Sequence, residues 1–174
     1  MDLQYPIGKF QWGGEISEAQ RSQLIDRLEQ VPSDLHQAVA GLTAEQADTP
    51  YRPEGWTVRQ LVHHLCDSNI NAYVRFRLAL TEDDPPIKTF AQERWAALED
   101  ARTAPLELSL SLLESLQRRW VLLLRSLGAA DFARTFRHPQ MGAVALDRYL
   151  GLVDWHGRHH LAHIRSLRER LGWQ

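Results

Sequence analysis

The chain has 174 residues, of which 44% are hydrophobic and 24% are charged, and its formal net charge is −2. This length and composition predict one globular domain, spanning residues 1–174, that is large enough to bury a core. Acidic and basic residues are mixed along the sequence, which argues against a basic surface for nucleic acid or anionic membranes.

Three features bear on localisation. No stretch approaches the roughly 18–20 apolar residues that a membrane span needs. The segment MDLQYPIGKF lacks the basic start and apolar core of a signal peptide. Cys66 is the single cysteine and cannot form an internal disulfide. We therefore expect a cytoplasmic protein whose partners are small molecules rather than membranes or nucleic acid.

The first predicted helix lies within residues 17–42. Ser17 and Gln20 have the spacing of a capping box, and apolar residues then recur every three or four positions. Pro32 falls inside this pattern and should kink or split the helix. A short turn and a proline-rich loop follow it.

The second predicted helix begins at Thr57, where Gln60 completes another capping box, and it ends near Leu80 before the acidic, proline-containing loop TEDDPPIK. The segment AQERWAALEDA, residues 91–101, predicts a short helical insert.

Two more long helices follow. The third runs from about Pro105 to Leu127 with Gly128 as its C-terminal cap. The segment HPQMGAVA, residues 138–145, predicts a loop, and the fourth helix then runs from about Leu146 to Leu171 with a poorly capped start. Four long amphipathic helices predict an all-α four-helix bundle with short extra helices in its loops.

Four of the eight histidines lie in WHGRHHLAH, residues 155–163. At about 100° per residue, His156 and His160 point towards the apolar face of the fourth helix, one turn apart. A buried neutral imidazole loses roughly 1–3 kcal/mol for each polar atom left unpaired, and coordination of a divalent metal would satisfy both rings. His159 and His163 project further out. We expect them on the surface or beside a ligand, with His163 as the residue that orients a ligand through a hydrogen bond.

On the second helix, His64 lies at the margin of the buried face and His63 should face solvent. Polar side chains follow His64 at helical spacing, at Ser68, Asn71 and Arg75. A polar seam beside an apolar stripe indicates a cavity between helices rather than a dry interface.

The histidines of the two helices can therefore converge. His64, His156 and His160 would provide three neutral imidazoles and leave one position open, as catalytic zinc sites do. An i, i+4 histidine pair is by itself also common among ordinary core or surface histidines, and this alternative stays open on spacing alone.

The chain resembles the DinB/YfiT-like superfamily, and within it the YfiT group. The resemblance is carried by segments along almost the whole chain: YPIGKF, DTPYRPEGWTVRQLVHHLCDS, NAYVRFRLALTEDDPP, RRWVLLLRSL, FRHP and WHGRHHLAHIRSLRERLGW. It implies a four-helix bundle of up-down-down-up order and a homodimer. It also implies one divalent metal, nickel or zinc, held by His64, His156 and His160.

The resemblance implies two kinds of activity, since members are described either as metal-dependent hydrolases or as thiol S-transferases. We expect a metal-dependent S-transferase that joins a low-molecular-weight thiol of the bacillithiol type to electrophilic small molecules, in detoxification or stress response. Arg75 would pair with an anionic group of the thiol, although it could equally be structural, and Asn71 and Ser68 are weaker contacts.

Two alternatives remain. A metal-dependent hydrolase would use a metal-bound water and needs a general base, for which Asp67 and Asp154 are the available residues. Either could equally be a surface charge. Gly157 follows His156, so the glutamate of a zincin motif is missing. A non-enzymatic, stress-induced metal-binding protein is the other alternative. Cys66, two residues from His64, is expected to be a small core residue.

Overall fold

The computed structural model describes residues 2–173 and shows four long helices, four short helices and one hairpin. In chain order these are α1 (Glu18–Val39), α2 (Ala44–Ala47), α3 (Val58–Thr81), α4 (Gln92–Ala96), α5 (Glu99–Thr103), α6 (Leu106–Arg125), α7 (Ala129–Phe132), β1 (Thr135–His138), β2 (Gly142–Ala145) and α8 (Leu146–Leu171). The four-helix bundle is thus confirmed.

Local signals place the starts of α1 and α3 where the sequence predicted them. Both capping boxes form. The Ser17 hydroxyl accepts from the backbone N–H of Gln20, and the Thr57 hydroxyl accepts from the backbone N–H of Gln60. Pro32 lies inside α1, which continues through it to Val39 as one element. The predicted split at this proline is therefore wrong.

The region between α6 and α8 differs from its prediction. Gly128 is the N-terminal cap of α7 and not the C-terminal cap of α6, which ends at Arg125. The predicted loop at 138–145 is half of an antiparallel hairpin, in which Thr135 pairs with Ala145 and His138 with Gly142. Its strands have four residues each, too few for an alternating pattern to stand out in the sequence.

Ion pairs and amide contacts show how the long helices run. Arg21 binds Asp147 at 2.7 Å near the start of both helices, and Arg165 binds Asp34 at 2.8 Å further along both. The neighbouring helices α1 and α8 therefore run parallel.

The other pair of parallel neighbours is α3 and α6. Gln117 donates to Asn69 at 2.8 Å, and the Trp120 ring contacts Phe76 further along both helices. The helix α3 runs antiparallel to α8, because His64 contacts His156 whereas Arg75 contacts Tyr149. The predicted up-down-down-up order is thus confirmed.

The apolar core has two halves that meet around a polar layer. One half includes Leu28, Phe76, Trp120 and Leu150, and the other includes Leu35, Leu65, Leu113 and Ile164. On α8 the halves are separated by residues 154–160, where the histidines lie. Within residues 2–173, no helix is long and apolar enough to cross a bilayer.

Candidate metal centre

Three histidine side chains from two helices meet in the polar layer. His64 projects from the second turn of α3, and His156 and His160 project from successive turns of α8. The Nε2 atom of His156 lies 3.2 Å from that of His64 and 3.1 Å from that of His160. The structure therefore brings together the three residues that the sequence predicted to share a metal.

This donor set fits a divalent cation. Ligand nitrogens about 2.0 Å from a tetrahedral zinc lie roughly 3.3 Å from one another, close to the observed separations. Burial lowers the pKa of His64 to about 4 and holds the pKa values of His156 and His160 well below the usual range. At neutral pH the three rings are thus uncharged, which is the state that binds a metal.

A fourth histidine supports this cluster. The Nδ1 atom of His163 lies 3.3 Å from Nδ1 of His160, on the side of the ring away from His156. Its Nε2 donates to the backbone carbonyl of Gln4 at 3.2 Å, and the Tyr51 ring stacks on it at 4.0 Å. His163 thus has the position expected of a residue that orients His160.

His159 is buried as well, so of the two positions expected for His159 and His163, on the surface or beside a ligand, the structure excludes the surface for both. The Trp155 ring stacks on His159 at 4.6 Å, and Tyr5 of the N-terminal segment lies 5.8 Å away. The Nδ1 atom of His159 is buried and has no hydrogen-bond partner within residues 2–173.

A polar cavity of about 330 Å³ opens beside His156 and His160. Its wall includes Trp56, whose ring lies 4.5 Å from that of His64 and whose Nε1 donates to Glu93 at 3.1 Å. Two ligand candidates therefore face a space that a small polar molecule can enter.

A second cavity, of about 190 Å³, lies on the other side of the cluster and is lined by His64 and His156. Ser68 and Arg75 line it as the sequence suggested. Most of its exposed wall area is nevertheless apolar, and the apolar lining residues are Ala72, Phe90, Met141, Leu152 and Val153. We refer to it below as the inner cavity. His156 borders both cavities, so the cluster stands between two compartments.

Two of the predicted α3 positions need correction. His63 does not face solvent, because it is only 6% exposed, accepts from the Ser109 hydroxyl at 2.7 Å and donates to the Ala104 carbonyl at 3.2 Å. Asn71 lines neither cavity and donates to the Asp67 carbonyl of its own helix at 2.8 Å. Asn69 lines the inner cavity instead.

The two acids considered as general bases lie elsewhere. Asp154 is buried in ion pairs with Arg27 at 2.6 Å and Arg158 at 2.9 Å. Asp67 lines neither cavity, and its partial burial raises its pKa to about 6. Cys66 is a buried core residue as expected, and burial raises its thiol pKa to about 11, which keeps it unreactive.

Sequence reasoning missed several wall residues. Tyr149 appeared only as a member of the apolar stripe of α8, although its hydroxyl lies in the inner cavity wall beside Arg75. Phe90 comes from a loop, Gln92 from the first position of the short helix α4 and His138 from the hairpin, so no long helical period exists to place them. The signal for Trp56 was its fixed spacing from His64 in WTVRQLVHH.

The fold agrees with the comparisons. The family model for the DinB superfamily matches residues 27–164, and the chain belongs to this superfamily.

Two solved structures and a curated relative extend the comparison. YfiT from Bacillus subtilis, described in its publication as a provisional metal-dependent hydrolase with an unusual four-helix bundle topology, is 47% identical with a TM-score of 0.97 and 100% coverage of both chains. A Bacillus mycoides protein provisionally named a metal-dependent hydrolase is 51% identical over 99% of each chain. TT2238, a four-helix bundle protein, has 20% identity and a TM-score of 0.59 over 84% of this chain and 98% of its own, and supports the fold alone.

Proposed function

We propose that the protein is a metal-dependent S-transferase, in which a small thiol such as bacillithiol attacks an electrophilic small molecule. The observation that carries the proposal is the meeting of three neutral imidazoles, with two Nε2 separations of 3.1 and 3.2 Å, at the boundary of two cavities. A centre with a compartment on each side suits a reaction between two small substrates.

His64, His156 and His160 would hold the cation, zinc or nickel, through their Nε2 atoms. A divalent cation bound by them would lower the pKa of a bound thiol or water and would polarise a substrate oxygen. The side chains around it keep the histidines uncharged and fixed, because Trp56 covers His64 and His163 contacts His160.

The transfer step needs little more from the protein. The thiolate sulfur forms a bond to the electrophilic carbon, the leaving group departs with the electrons of the broken bond, and the thiol proton passes to solvent. No carboxylate has to remove a proton in this scheme, which agrees with the remote positions of Asp67 and Asp154. The polar cavity, with Arg52 and Trp56 in its wall, suits a hydrophilic thiol.

Hydrolysis is the second candidate, and two observations favour it. Relatives at about half identity carry the name of metal-dependent hydrolases. Glu93 and Glu54 line the polar cavity next to His156 and His160, so the structure offers carboxylates that the sequence did not single out. Glu93 is held by the Trp56 N–H at 3.1 Å and is the better placed of the two to accept a proton from an attacking water.

The test compares the two reactions in one preparation. The protein is stripped of metal, reloaded with zinc or nickel, and mixed with bacillithiol and monobromobimane. We expect conjugation well above the spontaneous rate, lost on chelation and reduced by roughly hundredfold or more in His156→Ala. His36→Ala, which changes a histidine of α1 outside both cavities, is the matched control.

The outcomes separate the candidates. Turnover of 4-nitrophenyl acetate without thiol, lost in Glu93→Gln, would establish the hydrolase in place of the transferase. Metal binding without either reaction would leave a metal-binding protein and contradict both enzymatic candidates.

A further inference from the structure

Arg75 is a buried cation without a buried anion. Its side chain extends from α3 into the inner cavity wall and the residue is 8% exposed. Nη1 donates to the Tyr149 hydroxyl at 2.7 Å and Nη2 to the Lys88 carbonyl at 3.2 Å. Both acceptors are neutral. Within residues 2–173, no carboxylate lies within ion-pair distance of Arg75, whereas other buried guanidinium groups, such as Arg21 and Arg59, have one.

An uncompensated buried charge is costly, since burial in a protein removes the water that would otherwise stabilise it. A guanidinium also has five N–H donors in a planar fork, and the two neutral oxygens use two of them. The remaining donors and the unbalanced charge suit a carboxylate, which Arg binds through two parallel hydrogen bonds.

The neighbouring histidine adds a donor and no charge. His138 lines the same cavity, and its Nδ1 accepts a hydrogen bond from the backbone N–H of Gln140 at 3.2 Å. The proton of the neutral His138 ring therefore resides on Nε2. One cation and one neutral N–H group favour a monoanion. A phosphate dianion would call for further cations or for the clustered backbone amides of an anion-binding helix start, and the inner cavity wall shows neither.

The size and polarity of the cavity define the rest of the ligand. Its volume of about 190 Å³ is below the roughly 300–1,000 Å³ of pockets for drug-sized ligands. The Arg75 guanidinium binds the hydroxyl of Tyr149, which precedes His156 by about two turns of α8, so Arg75 and the histidines mark two separate ends of the cavity. Apolar lining residues lie between these positions along both helices, with Ala72 on α3 and Leu152 and Val153 on α8.

We propose that Arg75 binds the carboxylate of a small substrate whose apolar body fills the inner cavity and whose other end reaches His64 and His156. The assignment of that other end as the reacting group rests on the proposed function. The carboxylate belongs either to the thiol or to the electrophile, and the same recognition applies to both.

Binding is tested without catalysis, on metal-free protein, by calorimetric titration with hexanoate and with hexanamide. We expect wild type to bind the acid at least tenfold more tightly than the amide, and Arg75→Met to bind both equally. Inorganic phosphate should not compete. Arg77→Met, which changes an exposed arginine two residues along α3 that donates to Tyr73, should retain the preference. If Arg75→Met is poorly folded, Arg75→Lys, which keeps the charge but lacks the fork, should reduce the preference.

Equal affinity of wild type for acid and amide, or an unchanged preference in Arg75→Met, would overturn the proposal. A preference that appears only in metal-loaded protein and ignores Arg75 would also overturn it, because the carboxylate would then be bound by the cation.

Kinetics identify the source of the carboxylate. N-acetylcysteine is compared with N-acetylcysteamine against one electrophile, and 4-bromobutyrate with 4-bromobutyramide against one thiol. Arg75→Met should raise KM about tenfold or more for the acid of one pair alone. Carboxylate binding that depends on Arg75 in a protein without turnover would retain this inference while refuting the proposed function, so the two can fail separately.

Discussion

His163 lies one helical turn beyond His160, and the Nδ1 atoms of the two rings are 3.3 Å apart. The Gln4 carbonyl, 3.2 Å from Nε2 of His163, can only accept, so that nitrogen carries the proton. Nδ1 of His163 must then accept from Nδ1–H of His160. This chain of hydrogen bonds leaves Nε2 of His160 unprotonated and directed at His156, which is the tautomer that a metal requires.

Replacing His163 should therefore weaken metal binding without removing a ligand. We expect His163→Phe, which keeps an aromatic ring against Tyr51, to bind zinc about 10–100-fold more weakly. Competition titration against a chromophoric chelator measures this affinity. His36→Gln on α1 is the control, and an unchanged zinc affinity in His163→Phe would show that His163 does not set the tautomer.

Metal stoichiometry tests the centre itself. We expect one zinc or nickel ion per chain by elemental analysis, falling to below about a tenth of an ion at equal free metal in His64→Ala, His156→Ala or His160→Ala, because two histidines bind far more weakly than three. Trp56 lies 4.5 Å from His64, so nickel should quench fluorescence in wild type more than in Trp56→Phe. Full occupancy in any one of the alanine variants would exclude that histidine as a ligand.

The helical period of the sequence correctly predicted which histidines point into the bundle and meet there. His64, His156 and His160 lie on long helices that keep this period throughout. The same calculation failed for His63. A helical wheel assumes one buried face, whereas α3 is covered on its outer side by α5 and by the start of α6, where Ala104 and Ser109 bind the imidazole.

The burial of His159 had no sequence signal either, since it depends on the N-terminal segment returning along α8. Tyr5 contacts the His159 ring and the Trp155 Nε1 donates to the Gly8 carbonyl at 3.2 Å. Segments without a period pack where the helices leave room. For this reason the cavity residues Phe90 and His138 could be placed only by the structure.

Acid should destabilise the metal-free protein. Burial lowers the pKa values of His64 and His163 to about 4, whereas in the unfolded chain they titrate near 6.5. Between these values the unfolded chain binds more protons than the folded protein does. The free energy of unfolding is therefore highest above pH 6.5 and decreases as the pH falls towards 4.

We therefore expect the free energy of unfolding, measured by urea titration, to fall by at least about 2 kcal/mol between pH 7 and pH 5. Saturating zinc should delay the loss, because bound metal opposes protonation of its ligands. A free energy of unfolding that stays constant over this range would contradict the burial of neutral imidazoles.

The ionisation of Asp67 should change the free energy of unfolding with pH in the direction opposite to that of the histidines. Burial, reinforced by the charge of Asp100, raises its pKa to about 6. The folded protein thus keeps this proton at pH values where the unfolded chain has lost it, and the ionised side chain destabilises the fold above pH 6. Asp67→Asn removes the charge and should increase the free energy of unfolding by about 1 kcal/mol at pH 8, with little effect at pH 4.

Asp26→Asn provides the contrast, because Asp26 is exposed and bound to Arg125 at 2.8 Å, so its replacement should not stabilise the protein. Asp67→Asn should also keep full metal affinity and activity, since Asp67 lines neither cavity. A large loss of turnover in Asp67→Asn with unchanged stability would instead mark Asp67 as the general base of a hydrolase, and would place the reaction on the α3 side of the cluster.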